Sequence, residues 1–107
     1  MKKNVLIIGA GGVAQVVAHK CAQHNDVLGD LHIASRTKSK CDEIIASVHE
    51  KGAMKVAGTF EAHGLNAKDT GAVADLIRKT GCRIVINVGT PYVNMSVLDA
   101  CIATGVA

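Results

Sequence analysis

The sequence predicts an α/β fold, a doubly wound parallel sheet with helices on both faces. Three observations predict it. Short unbroken apolar runs alternate with longer stretches of helical period, a glycine cluster follows the first apolar run directly, and one Pro in the whole chain leaves no stiff linker to separate the segments. Strands that read as continuous apolar runs are those buried on both faces, so helices must lie above and below them, joined by right-handed crossovers.

The elements follow in order. Val5-Leu6-Ile7-Ile8 is the first strand. Val13, Val16, Val17 and Cys21 recur at helical spacing, so a helix is expected from Val13 to Gln23, stopped by His24-Asn25-Asp26. Leu31 to Ser35 is a second strand. Ser39 with Asp42 three residues on resembles a capping box for a second helix that carries Cys41, Ile44, Ile45 and Val48 and ends near Gly52. A third strand is expected between Lys55 and Leu65, with Gly58 and Gly64 blurring its limits. Asp69 is placed to cap a third helix with Val73, Leu76 and Ile77, stopped by Gly81. Arg83 to Val88 is a fourth strand, and Val97, Leu98, Cys101 and Ile102 mark a fourth helix ending at Gly105. The alternation calls for a fifth strand next, so the fold is expected to be truncated after the fourth helix and the chain to be part of a longer protein.

A chain of 107 residues suits one domain, 1–107, with one core. With one Phe, one Tyr and no Trp, that core must be built from aliphatic side chains and Cys. A net charge of +3, dispersed along the chain and without aromatics to stack bases, argues against a nucleic-acid surface. Cys21, Cys41, Cys82 and Cys101 form no zinc-like spacing and read as buried apolar residues, so no metal is expected. The apolar run before Gly9 is too short for a secretory leader or a membrane span, which points to the cytoplasm.

The chemistry lies in Gly9-Ala10-Gly11-Gly12-Val13-Ala14, a G-x-G-x-x-A pattern placed between a strand and a helix. In that context the pattern defines a Rossmann-type dinucleotide site. Gly9 turns the chain tightly, Gly11 leaves room for a pyrophosphate, and Ala14 lets the helix approach the sheet; backbone N–H groups and the helix dipole face the anion. Roughly twenty residues on, where an NAD site places an acid to hold the ribose hydroxyls, stands Ser35-Arg36-Thr37. A hydroxyl and a planar guanidinium donate to a 2′-phosphate that an acid would repel, so the expected cofactor is NADP. Lys38 and Lys40 add positive potential nearby. Asn66 is a candidate for the adenine side, and Val88-Gly89 for the cofactor beyond the pyrophosphate, with plain turns as the competing accounts. His19, His24, His32, His49 and His63 are scattered, and none is expected to be catalytic.

VLIIGAGGVAQVVAHKCA, HIASRT, LNAKD, IVINVG and a helix ending CIATG together resemble the N-terminal NADP-binding domain of the saccharopine dehydrogenase-like family, along essentially the whole chain. The resemblance implies cofactor contacts at Gly9, Gly11, Gly12 and Val13, at Ser35 and Arg36, and at Asn66, Val88 and Gly89. It implies an oxidoreductase acting on CH–NH bonds. In the polyamine branch of the family, NADPH reduces the imine formed between aspartate semialdehyde and a diamine such as 1,3-diaminopropane or putrescine. Most catalytic and substrate-binding residues of the family belong to a second domain that these residues do not include, so none is expected here and the 107 residues alone are expected to be inactive. A homo-oligomer is expected of the full-length form, with no nucleic-acid or membrane partner. Two other readings stay open: a dinucleotide-sensing module of a transport system, which more often carries an acid after the second strand, and another NADP reductase such as saccharopine reductase.

Overall fold

The computed structural model describes residues 3–56, 58–66 and 69–88. Over these the chain alternates strand and helix: β1 (Lys3–Ile8), α1 (Gly12–Gln23), β2 (Leu28–Ser35), α2 (Lys38–Glu50), β3 (Phe60–Gly64), α3 (Thr70–Thr80) and β4 (Ile84–Asn87). The strands form one parallel sheet in the order β3-β2-β1-β4. The predicted fourth helix and Gly89 lie outside the described residues.

Strand alternation divides the core in two. Val5, Ile7, Leu31, Ile33 and Phe60 point to one face, where they meet Ala14, Ala18, Cys21 and Ala22 of α1 and Cys41, Ile44 and Val48 of α2. Leu6, Ile8 and Ala34 point to the other, where they meet Val73, Ala74, Leu76 and Ile77 of α3. Leu6, Ile7, Leu31 and Ile33 are fully buried, and each such side chain contributes about 1.5–3 kcal/mol over leaving it in water. The doubly wound arrangement read from the apolar runs is therefore present, with α1 and α2 on one side and α3 on the other.

Two local expectations need correction. Val13 and Val16, read with Val17 and Cys21 as the apolar stripe of α1, are 64% and 61% exposed; Cys21 is buried and Val17 packs on the core as expected, and the rest of the seat on the sheet is made by Ala14, Ala18 and Ala22. Small side chains let the helix backbone sit close to the strands, and their weak hydropathy hides them beside three valines. The capping box at Ser39 does not form: α2 begins at Lys38 with Thr37 at the cap, so Ser39 and Asp42 already lie inside the helix.

The third helix starts and stops as expected. The Asp69 carboxylate accepts a hydrogen bond from Ala72 N at 3.1 Å, and Gly81 closes the helix in the left-handed conformation, φ 64°. The loop after α2 is held by Asn25, 4% exposed, whose amide donates to Val56 O at 2.8 Å and accepts from Val56 N at 2.9 Å. That clasp delivers the chain to the edge strand β3.

Candidate functional site

Every strand of a parallel sheet ends on the same side, and the residues singled out from sequence line up along that edge. Gly9 N donates to Ala34 O at 2.9 Å, which sets the turn after β1 against the end of β2. Leu65 N donates to Ser35 O at 2.8 Å, bringing the β3 end and Asn66 beside Ser35 and Arg36. Val88 N donates to Ile8 O at 2.9 Å and closes the row on the β4 side. Nine of the ten sequence-predicted positions fall into three groups on one edge: Gly9, Gly11, Gly12, Val13 and Ala14 at its centre, Ser35, Arg36 and Asn66 towards β3, and Val88 towards β4. Gly89, the tenth, lies outside the described residues.

The glycine turn has the geometry its sequence requires. Gly9 holds φ 128°, a region that side-chain-bearing residues avoid, and this reverses the chain out of β1. Gly11 is the N-cap of α1, and Gly12 opens the helix; neither would meet an atom within 4 Å if given a Cβ. Open space thus lies over the helix N-terminus. No side chain caps it and no acidic residue occupies its first turn, so the N–H groups of the opening turn and the positive end of the dipole face that space. Ala14 is fully buried against the sheet. An anionic diphosphate fits such a cradle.

Between α1 and α2 a cleft of about 440 Å³ continues from the turn, walled by Gly11, Gly12 and Gln15 on one side and by Lys40, Glu43 and Ile44 on the other. Gln15 has no local signature in the sequence, because a polar residue in the first turn of a helix reads as surface. Lys40 and Glu43 put one cation and one anion on the wall that faces the glycines.

At the end of β2 the groups differ in readiness. Arg36 is exposed and makes no ion pair with the described residues. The Ser35 hydroxyl is occupied: it donates to Thr37 O at 3.0 Å while accepting from Thr37 N at 3.1 Å and from the Cys41 thiol at 3.5 Å. This turn aims the Arg36 backbone, and the hydroxyl must rotate away from Thr37 to donate elsewhere. Burial raises the Cys41 thiol above its ordinary value, against the smaller lowering effect of that serine.

Sequence spacing missed a second gathering. His32 on β2 and His63 on β3 face each other, Nδ1 to Nε2 at 3.0 Å, with Glu61 beside them. The signal was period-two alternation in two adjacent parallel strands, which puts His32, Glu61 and His63 on one face once the register His32↔Glu61 is known. Register itself is not written in either strand. Desolvation lowers both histidines below their ordinary value; for His63 the neighbouring His32 adds to this, while Glu61 opposes it in both.

A parallel sheet with its glycine turn at the central strand, a bare helix N-terminus and a basic residue at the end of the next strand defines a dinucleotide-binding Rossmann-type domain. Residues 5–107 match the family model described as the saccharopine dehydrogenase NADP binding domain. The chain belongs to that family, and the cofactor of the domain is NADP. It is 51% identical over 98 residues to a carboxynorspermidine synthase of Vibrio alginolyticus, covering 91% of this chain and 24% of that protein. It is 41% identical over 102 residues to a carboxyaminopropylagmatine dehydrogenase of a Synechocystis species, covering 95% and 24%. Among solved structures, apo saccharopine dehydrogenase (L-Glu forming) from Saccharomyces cerevisiae superposes with a TM-score of 0.74 at 22% identity, covering 97% of this chain and 20% of that one, which speaks for the fold. The chain spans about a quarter of the curated relatives it matches. Among the described residues, no helix is long and apolar enough to cross a membrane.

Proposed function

We propose that this chain is the NADP-binding portion of an oxidoreductase of the carboxynorspermidine dehydrogenase (synthase) type, which reduces the imine of aspartate semialdehyde and a diamine in polyamine biosynthesis. The observation that carries the NADP part is Arg36, exposed at the end of β2 beside the glycine turn, with no acid at that strand end to repel a 2′-phosphate. The amine substrate rests on the 51% identity to the Vibrio protein. Identity to the Synechocystis dehydrogenase favours a second reading, the same reduction with a guanidino-bearing amine.

In this reading Gly9 turns the chain, Gly11 and Gly12 leave the space for the pyrophosphate, Val13 and Ala14 complete the first helical turn, and Arg36, with Ser35 after rotation, holds the 2′-phosphate. Asn66 borders the adenine side, and Val88 and Gly89 border the segment leading to the nicotinamide. NADPH supplies the hydride; this chain's residues bind and orient the cofactor and contribute no acid or base to the reaction. The substrate and catalytic groups belong to the remaining length of the protein, so the 107 residues by themselves do not turn over. We place the whole enzyme in the cytoplasm as a homo-oligomer; the buried thiols of Cys21 and Cys41 suit a reducing compartment.

The test is parallel calorimetric titration with NADPH and NADH at fixed ionic strength. Arg36→Ala should weaken NADPH about 10- to 100-fold, the worth of a charge-assisted hydrogen bond, and leave NADH within about twofold. Equal losses for both cofactors would remove Arg36 from the 2′-phosphate site.

A further inference from the structure

His32 Nδ1, His63 Nε2 and a Glu61 carboxylate oxygen converge on the face of the sheet opposite α1 and α2. The nitrogens are 3.0 Å apart and the oxygen lies 3.9 Å from one and 4.0 Å from the other. A point in their midst is about 2.1 Å from all three, the bond length of zinc to imidazole nitrogen and carboxylate oxygen. The two imidazoles are 7% and 14% exposed and fixed on adjacent strands, while Glu61 is 58% exposed and opens the cluster to solvent. We propose that these three residues form a site for a divalent cation of the zinc class.

The donor set supports that class. Two imidazole nitrogens and one carboxylate oxygen suit borderline cations such as zinc, cobalt(II) or nickel(II) better than calcium or magnesium, which ask for oxygen. Three protein ligands leave a further position for water on the side where Glu61 meets solvent. A plain hydrogen bond between the imidazoles explains the 3.0 Å separation, since one nitrogen donates and the other accepts. It gives no part to Glu61, which is beyond hydrogen-bond distance of both nitrogens yet directed at the gap between them. A cation uses the lone pairs of all three. It also ties β3, the edge strand, to β2 by side chains as well as by the backbone ladder. The cluster lies on the sheet face opposite the one that carries the glycine-turn helix.

The experiment uses the 107-residue chain stripped with chelator, titrated with cobalt(II) and followed by its visible absorption, with zinc as competitor and metal content measured after dialysis. One cobalt per chain is expected, displaced by one zinc, with a rise in melting temperature on adding zinc. Glu61→Gln, at an exposed position, should fold normally and weaken cobalt binding by more than about 10-fold, and His63→Gln by more than about 100-fold, each losing the zinc-dependent rise in melting temperature. The double variant His24→Ala/His49→Ala, which removes two exposed histidines elsewhere, should bind like the parent. Absence of saturable binding in the folded parent would overturn the proposal. So would binding that survives Glu61→Gln and His63→Gln, or binding that is lost in the double variant.

Discussion

Gly9 and Gly11 share a motif but do different physical work, and the difference is measurable. Gly9 is held at φ 128°, so Gly9→Ala should cost about 1–3 kcal/mol of stability by strain alone, seen as a lowered denaturation midpoint. At Gly11 a Cβ meets nothing within 4 Å, so Gly11→Val should leave the midpoint within about 1 kcal/mol while abolishing binding of NADPH and NADH alike. A folded Gly11→Val chain that binds either cofactor would displace the pyrophosphate from the turn. The thiols offer a pH test. Burial raises Cys21 and Cys41 above 9.0, so the folded chain disfavours the thiolate relative to the unfolded one. Their contribution to stability is full below pH 9 and falls as pH rises past it, so denaturation midpoints should drop there, and by less in Cys41→Ala than in the parent. At this scale the sequence was informative wherever a residue type has one physical use: glycine at a positive φ, aspartate at a helix cap. It was silent on Gln15 and on the pairing of His32 with His63, because contact between segments has no local signature.

The three helices show how periodicity is read well and misread. In α3 the apolar stripe, the Asp69 cap and the Gly81 stop all agree, and the element matches its prediction within a residue. In α1 the predicted stripe was Val13, Val16, Val17 and Cys21; Val13 and Val16 are exposed, while Val17 packs against a buried stripe of Ala14, Ala18, Cys21 and Ala22. Close approach to the sheet selects for small volume there, which hydropathy does not rank. Substitution separates the two effects. Ala18→Leu should destabilise by about 1–3 kcal/mol through overpacking, while Val16→Ser, on the exposed side, should stay within about 0.5 kcal/mol. Asp69→Ala should cost about 1 kcal/mol by removing the hydrogen bond to Ala72. Chemical denaturation of the three variants checks all of this; a neutral Ala18→Leu would mean that α1 stands farther from the strands than described.

For the whole molecule, apolar runs sufficed for the parallel, doubly wound class, but the strand order β3-β2-β1-β4 rests on the packing of helices on two faces. That order puts the reversal of winding between β1 and β4, next to the glycine turn, and α/β domains bind ligands at such a crevice. It also makes β1 the hub: Val5 to Ile8 pairs with β2 on one side and with Ile84 to Asn87 on the other. A chain cut after Gly81 therefore leaves one whole edge of β1 unpaired. Such a chain should aggregate at concentrations where the intact 107 residues remain monodisperse, as light scattering would show.

The pairing of β1 with β4 also bears on how the fold is reached. Its partners lie about eighty residues apart, so this ladder closes only after a large loss of chain freedom, and folding belongs in the slow regime of non-local topologies. During synthesis β1 is made about eighty residues before its second neighbour, β4. For most of the time the ribosome spends on this domain, Val5-Leu6-Ile7-Ile8 is without that neighbour, a period in which a chaperone has something to hold.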